Sequence, residues 1–187
     1  DKTIGVWRVS DGELLRTLAG HTGQVRSIAI SPDGQTIVSG SSDNLVKVWR
    51  LSDGELLRTL AGHTGFVQGV AITPDGETIV SAASDGARAW RLSDGQLVGT
   101  LTTMSCQSVA VANDGRTVVL GGVDYATSKP AIEVRQLLDG ALLNTLIGSE
   151  SDAVSGLDIT PDGRTIVSAG GDGMRVWRSP DGLLVRT

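Results

Sequence analysis

Serine, histidine and aspartate recur together in this chain, as His21, Ser39 and Asp43 and again as His63, Ser81 and Asp85. A hydroxyl, an imidazole and a carboxylate are the ingredients of nucleophilic acyl transfer. That chemistry needs a single site with an exposed nucleophile and donors for the oxyanion. Here the second set repeats the first at the same offsets, as scaffold residues do, so no catalytic residue is assigned. Two histidines without a cysteine partner do not make a zinc site. The aspartates of the Ser-Asp-Gly and Pro-Asp-Gly triplets lack the Asp-x-Asp spacing of a calcium loop and read as turn formers. No Gly-Lys-Ser/Thr is present to make a phosphate loop. The expectation is a non-enzymatic chain with no cofactor and no metal.

What must position these residues is a repeat. The string from Val48 to Gly65 copies the string from Val6 to Gly23, with Leu51 in place of Val9 as the only change. Weaker copies run over Ala89–Leu101, Val134–Leu146 and Val176–Arg186. A period of this length marks a repeat architecture. Between the markers apolar and small or polar residues alternate, as in Val25-Arg26-Ser27-Ile28-Ala29-Ile30, which is the periodicity of a strand. Pro-Asp-Gly and Ser-Asp-Gly break the strands, with Gly free to take positive φ. One unit therefore reads as four strands, A to D. In the first full unit these are Val25–Ile30, Thr36–Gly40, Leu45–Arg50 and Glu55–Leu60. Full units cover about 25–60, 67–101, 106–146 and 154–187, and a leading half unit, 1–18, supplies C and D alone. Residues 1–187 form one region.

A four-stranded sheet of this size has two faces to cover, and stacking such sheets radially covers both. The expected fold class is all-β: a β-propeller of four-stranded antiparallel blades, incomplete as a ring within one chain. A β-solenoid is the alternative, but its repeats are shorter and lack a reversing turn between every strand.

The residues resemble the WD-repeat family of propellers. Gly-His opens the unit at Gly20-His21 and Gly62-His63, Trp closes strand C at Trp7, Trp49, Trp90 and Trp177, and Ser31-Pro32-Asp33-Gly34 and its copies match the A–B turn. The resemblance spans the chain. It departs in one regular way, because Arg8, Arg50, Arg91 and Arg178 follow the Trp where the family has Asp. The resemblance implies a hydrogen-bonded set in each blade: His21, Ser39, Asp43 and Trp49, then His63, Ser81, Asp85 and Trp90. An indole N–H only donates, and a buried polar group needs a partner. Asp85 and Trp90 stand one residue closer than Asp43 and Trp49, so distortion of the second set is expected. The fourth unit offers Ser168, Asp172 and Trp177, with Ser149 at the place of the His.

Composition narrows the partners. A net charge of −5 argues against nucleic acid or an anionic membrane. No run of 18 apolar residues exists to span a bilayer. With Cys106 as the one cysteine no internal disulfide can form, which fits a reducing compartment and an expected cytoplasmic location. Cys106 falls at the place of Val25 and reads as a small buried hydrophobe.

The third unit is the odd one. It has no Gly-His, Leu120 replaces the Ser, Arg135 replaces the Trp, and its B–C turn grows by five residues around Tyr125. Two readings stand: coupled loss of a hydrogen-bonded set, or a contact loop on a rigid scaffold. Nine turn aspartates project at one rim and predict an acidic face there. By resemblance to the family, the opposite rim and the start of strand A are the partner surface, at Gln24, Arg26, Phe66, Gln68, Gln107 and Tyr125. Function is accordingly expected to be protein binding as a scaffold within a larger signalling or regulatory assembly. The alternative is a propeller fragment that self-associates into a larger ring with no dedicated ligand. An open arc leaves sheet faces and an edge uncovered, so the chain is expected to be a homo-oligomer or a piece of a longer chain.

Overall fold

The computed structural model describes residues 1–125, 127–147, 154–171, 173–179 and 181–186. Its described elements are 18 strands in five antiparallel sheets, one of two strands and four of four. The leading pair is β1 (Thr3–Trp7) and β2 (Leu14–Ala19). The first blade is β3 (Val25–Ile30), β4 (Thr36–Ser41), β5 (Val46–Arg50) and β6 (Leu56–Leu60). The second is β7 (Val67–Ile72), β8 (Thr78–Ala83), β9 (Gly86–Arg91) and β10 (Leu97–Thr102). The third is β11 (Ser105–Val111), β12 (Thr117–Asp124), β13 (Lys129–Gln136) and β14 (Leu142–Leu146). The fourth is β15 (Gly156–Ile159), β16 (Thr165–Gly170), β17 (Gly173–Arg178) and β18 (Leu183–Arg186). Among the described residues no helix is long and apolar enough to cross a membrane.

Each blade is a meander, with strands paired in chain order. The tight turns explain why. In the A–B turn Gly34 takes φ +68° and its N–H meets the Ser31 carbonyl at 2.8 Å; in the C–D turn Gly54 takes φ +80° and closes on the Arg50 carbonyl at 2.8 Å. Both angles lie where a side chain is strained.

First strands of successive blades lie side by side, β3 against β7, β7 against β11 and β11 against β15, so the blades fan around an axis on which the A strands are innermost. This is an incomplete propeller. Its cores lie between blades. Ile4 and Leu18 of the leading pair pack on Ile37 and Trp49 of the first blade. Val38, Val46, Val48 and Leu60 pack on Val67, Val70, Ile79 and Trp90 of the second. Val80, Ala82 and Leu101 meet Met104, Cys106 and Val118 of the third, and Val119, Ile132 and Leu146 meet Val154, Ile166 and Trp177 of the fourth. Adjacent residues on one strand thus serve different junctions, Ile37 facing back and Val38 facing forward, because strand side chains alternate.

The forward face works only with a small residue on strand B. A Cβ on Gly40 would sit 2.5 Å from Val67 Cγ1, and one on Gly121 would sit 2.7 Å from Val154 Cγ1. Where the leading pair lacks A and B strands, the face stays open. Ile28 is 51% exposed, whereas Val70, its counterpart one blade on, is 7% exposed. At the other end Met174 is 68% exposed.

Gly40→Val should wedge the first two blades apart and lower stability by about 1–3 kcal/mol, as overpacked cores do. Gly99→Val, on β10 with nothing within 4 Å of the added carbon, should instead raise stability by about 0.5–1 kcal/mol through lost glycine entropy. Urea midpoints of the two variants check both signs.

Candidate polar relay and partner surface

In the first blade the structure joins four side chains from three places. Trp49 on β5 donates its indole N–H to Ser39 Oγ on β4 at 2.8 Å. Ser39 Oγ lies 2.8 Å from His21 Nε2, and His21 Nδ1 lies 2.8 Å from Asp43 Oδ2 in the B–C turn. A carboxylate only accepts, so Nδ1 carries the proton, Nε2 accepts from the serine hydroxyl, and the relay runs one way from Trp to Asp. Asp43 ends it by also accepting the Thr22 and Leu45 backbone N–H groups. Burial alone would raise the Asp43 pKa, but the hydrogen bonds from His21 and these N–H groups outweigh it and hold the carboxyl below its usual range.

The second blade repeats the relay at nearly the same distances: Trp90 to Ser81 2.8 Å, Ser81 to His63 2.7 Å, His63 to Asp85 2.7 Å. The expected distortion is not seen. The missing residue is absorbed in the turn, where Gly86 at φ +126° brings its α-carbon so close to the Thr102 carbonyl that a Cβ would clash. Arg88, unforeseen from the sequence, lies against His63 Nδ1 and donates to Asp85 at 2.9 Å. Asp85 is held well below the ordinary carboxylate range, its burial overcome by hydrogen bonds from Thr64, His63 and Arg88. Burial is the main force lowering the His63 pKa, with the Arg88 charge adding to it against Asp85.

In the fourth blade Trp177 donates to Ser168 at 2.8 Å; Asp172 and Ser149 lie outside the described residues. Trp7 has no B strand beside it and is 60% exposed. Ser39 and Ser81 are fully buried and each accepts an indole N–H, which leaves neither hydroxyl open to a substrate. Among the described residues no group of three or more His, Cys, Asp or Glu is placed to hold a metal.

The rim aspartates are bound into their own turns. Each of the nine carboxylates accepts the backbone N–H two residues on. Four of the five in C–D turns also bind the Arg that follows the Trp: Arg8 to Asp11, Arg50 to Asp53, Arg91 to Asp94 and Arg178 to Asp181, at 2.6–2.9 Å. The regular Arg is therefore the turn's counterion, a signal present in the sequence at i, i+3 and passed over there.

The proposed partner residues separate into groups. Arg26, Gln68 and Gln107, at equivalent heights on three A strands, line one cavity of about 290 Å³ with Ser155. Arg26 is steadied by Ser42 Oγ at 2.8 Å. Gln24 and Phe66 immediately precede β3 and β7, and Phe66 is 49% exposed. Tyr125 lies apart from that cavity, at the tip of the β12–β13 hairpin, its hydroxyl 3.4 Å from the Ser84 carbonyl of the second blade. Cys106 is fully buried, donates toward the Met104 carbonyl at 3.2 Å, and burial pushes its thiol up to about 12.

Comparison with known proteins agrees with this geometry. The family described as "WD domain, G-beta repeat" matches residues 12–50, 54–87 and 140–178. An uncharacterized WD repeat-containing protein of Synechocystis sp. is 36% identical over 81 residues, 42% of this chain and 21% of that protein. The B-type cell cycle switch protein ccs52A of Medicago truncatula is 52% identical over 44 residues, 24% of this chain and 9% of that protein. The nuclear distribution protein PAC1 of Coccidioides posadasii is 42% identical over 45 residues, 24% of this chain and 10% of that protein. The matches thus span about a fifth or less of these relatives.

Ser39→Ala removes the acceptor of one buried N–H and the donor to one imidazole, and should cost about 1–3 kcal/mol for each group left unpaired. The pH profile carries a second signature. With the folded His63 pKa below the ordinary value of about 6.5, the unfolded chain binds the proton first, so stability falls as pH drops below about 6.5. The lowered Asp43 and Asp85 pKa values add a further loss below about pH 4. Denaturant midpoints from pH 7.5 to 5.5 should slope for the parent chain and lie flatter for His63→Gln.

Proposed function

The chain belongs to the WD40 repeat family, and from that premise we propose that it is a non-catalytic protein-interaction scaffold, part of a larger signalling or regulatory assembly. The observation that carries the reading is the cavity at the innermost strands, where three successive blades present Arg26, Gln68 and Gln107 from the same strand position. Carboxamides both donate and accept, as a peptide backbone does. Arg26 adds a fixed positive charge, and Phe66, two residues before Gln68, is an exposed aromatic of the kind that anchors interfaces. The occupant we assign is an extended polypeptide segment with an apolar side chain for Phe66 and an acidic one for Arg26. Gln24 belongs to the same rim. The four-residue relay is the scaffold's internal bracing under this reading, and no part of it contacts the partner.

A second reading has its own observation. Ile28 and Trp7 at one end of the arc, and Met174 and Val185 at the other, are large apolar residues left in water. Copies of the chain associating through these ends would cover them.

Two experiments test these readings. Peptides selected from a random displayed library on the parent chain should lose at least about tenfold in affinity, roughly 1.4 kcal/mol, on a Phe66→Ala, Gln68→Ala variant whose urea midpoint is unchanged. Equal binding to the variant overturns the scaffold surface. For the second reading, light scattering should give a mass above one chain that falls to one chain in Ile28→Asp, Met174→Asp; a single-chain mass for the parent overturns it.

A further inference from the structure

The third blade departs from its neighbours at two adjacent inward positions of strand C. Trp49, Trp90 and Trp177 become Arg135, and the cations Lys47, Arg88 and Arg175 become Glu133. One ring is lost and one charge is reversed. Met104 is buried beside the vacated volume, but it does not refill it. A cavity of about 530 Å³ opens here, within the size range of small-ligand sites.

The walls of the cavity have a definite chemistry. Glu133 is mostly buried, and Arg135 Nε reaches one of its oxygens at 2.7 Å. Arg135 is drawn toward the C–D turn, where its other nitrogen donates to the Gly140 carbonyl at 2.6 Å. Thr102, Thr103, the buried Met104 and Asp124 also line the cavity. Tyr125 completes the lining, 66% exposed and tied by its hydroxyl to the Ser84 carbonyl of the second blade. The β12–β13 ladder continues to Asp124 and Lys129, so the hairpin that carries Tyr125 is a built element.

The other blades show what fits such a place. In the first, the Lys47 stem is buried and its ammonium donates to Thr59 at 3.1 Å; in the second, Arg88 fills the same position beside Asp85. The third blade has the space and an acid where those blades have the cation. We propose that this cavity is a binding site for one cationic alkyl side chain, lysine or arginine, presented by another polypeptide. The stem lies on Met104, the charge meets Glu133, and the Tyr125 ring covers it through a cation–π contact. This site is separate from the inner-strand cavity and does not rest on the reading given for it.

The test uses the full chain labelled with ¹³C at the methionine methyls. Met104 and Met174 are the two methionines, so one signal reports the site and the other serves as a control, assigned with Met174→Leu. Nα-acetyl-lysine methylamide and Nα-acetyl-arginine methylamide should shift Met104 saturably and leave Met174 in place. Nα-acetyl-norleucine methylamide, of similar shape and no charge, should do neither. Glu133→Gln should weaken the lysine probe at least tenfold, and Tyr125→Leu, at an exposed hairpin tip where folding is not at stake, severalfold. Equal response to the norleucine probe, no response to either cation, undiminished binding in both variants, or binding of butylamine without the amide probes would each overturn the proposal.

Discussion

A four-stranded sheet with apolar residues on both faces cannot be left alone in water, and that constraint organises this molecule. Among the described residues every apolar cluster straddles a junction between successive sheets. Ile37 and Val38, neighbours in sequence, are buried by different blades. Stability here is therefore a sum of junctions, as expected for repeat proteins. The junctions in turn demand small residues on strand B. Gly40, Ala82 and Gly121 give the close approach that lets the next blade's A strand seat its Val or Leu side chains. The two ends of the arc show the same rule by exception, since Ile28 and Met174 are exposed where no neighbour covers them.

Polar bracing follows from this packing. A tryptophan large enough to fill a junction brings an N–H that must be satisfied, and Ser39 supplies the acceptor. The serine then has a hydrogen to place, the histidine accepts it, and the ring's other nitrogen needs the aspartate. Asp43 also accepts the Thr22 N–H, so the relay ties strands B and C to the connection that enters the blade. Each member exists because the previous one would otherwise be a buried unpaired group, which costs about 1–3 kcal/mol. The outer rim is closed by similar logic. Its aspartates are held by their own turns, and four of them by an arginine as well.

Much of this was legible in the chain. The 42-residue offset of Val6–Gly23 and Val48–Gly65, the period-two strands and the Asp-Gly turns led directly to four-stranded blades fanned in an open arc. The members of the first two relays were readable from the resemblance to the WD-repeat family, whose blades carry such a set, and a donor-only indole and an acceptor-only carboxylate fix its two ends. Three features were not. The one-residue deletion before Trp90 looked disruptive, but a glycine at φ +126° takes up the change without moving the indole. Arg88 sat in a strand position that alternation alone calls a face residue, and only the fold of the turn shows Asp85 within its reach. The third-blade cavity depends on which way Arg135 turns and on how deeply Met104 enters, and neither is a matter of residue type.

The third blade also shows why such a relay is lost as a unit and what its loss leaves behind. Deleting one member strands the rest, whereas replacing the partners together by apolar groups is close to neutral. Leu120 at the serine position, with Met104 and Cys106 buried beside it, completes that second course on the strand B side. The strand C side did not follow. A large aliphatic residue in place of the indole would have closed the volume; Arg135 and Glu133 instead line it with a mostly buried salt bridge. Desolvating such a pair fully would cost more than their attraction returns, so the cavity beside them stays open to water or to a guest. The stack of blades is thus sealed where the relay persists and open where only half of it has been replaced by hydrocarbon.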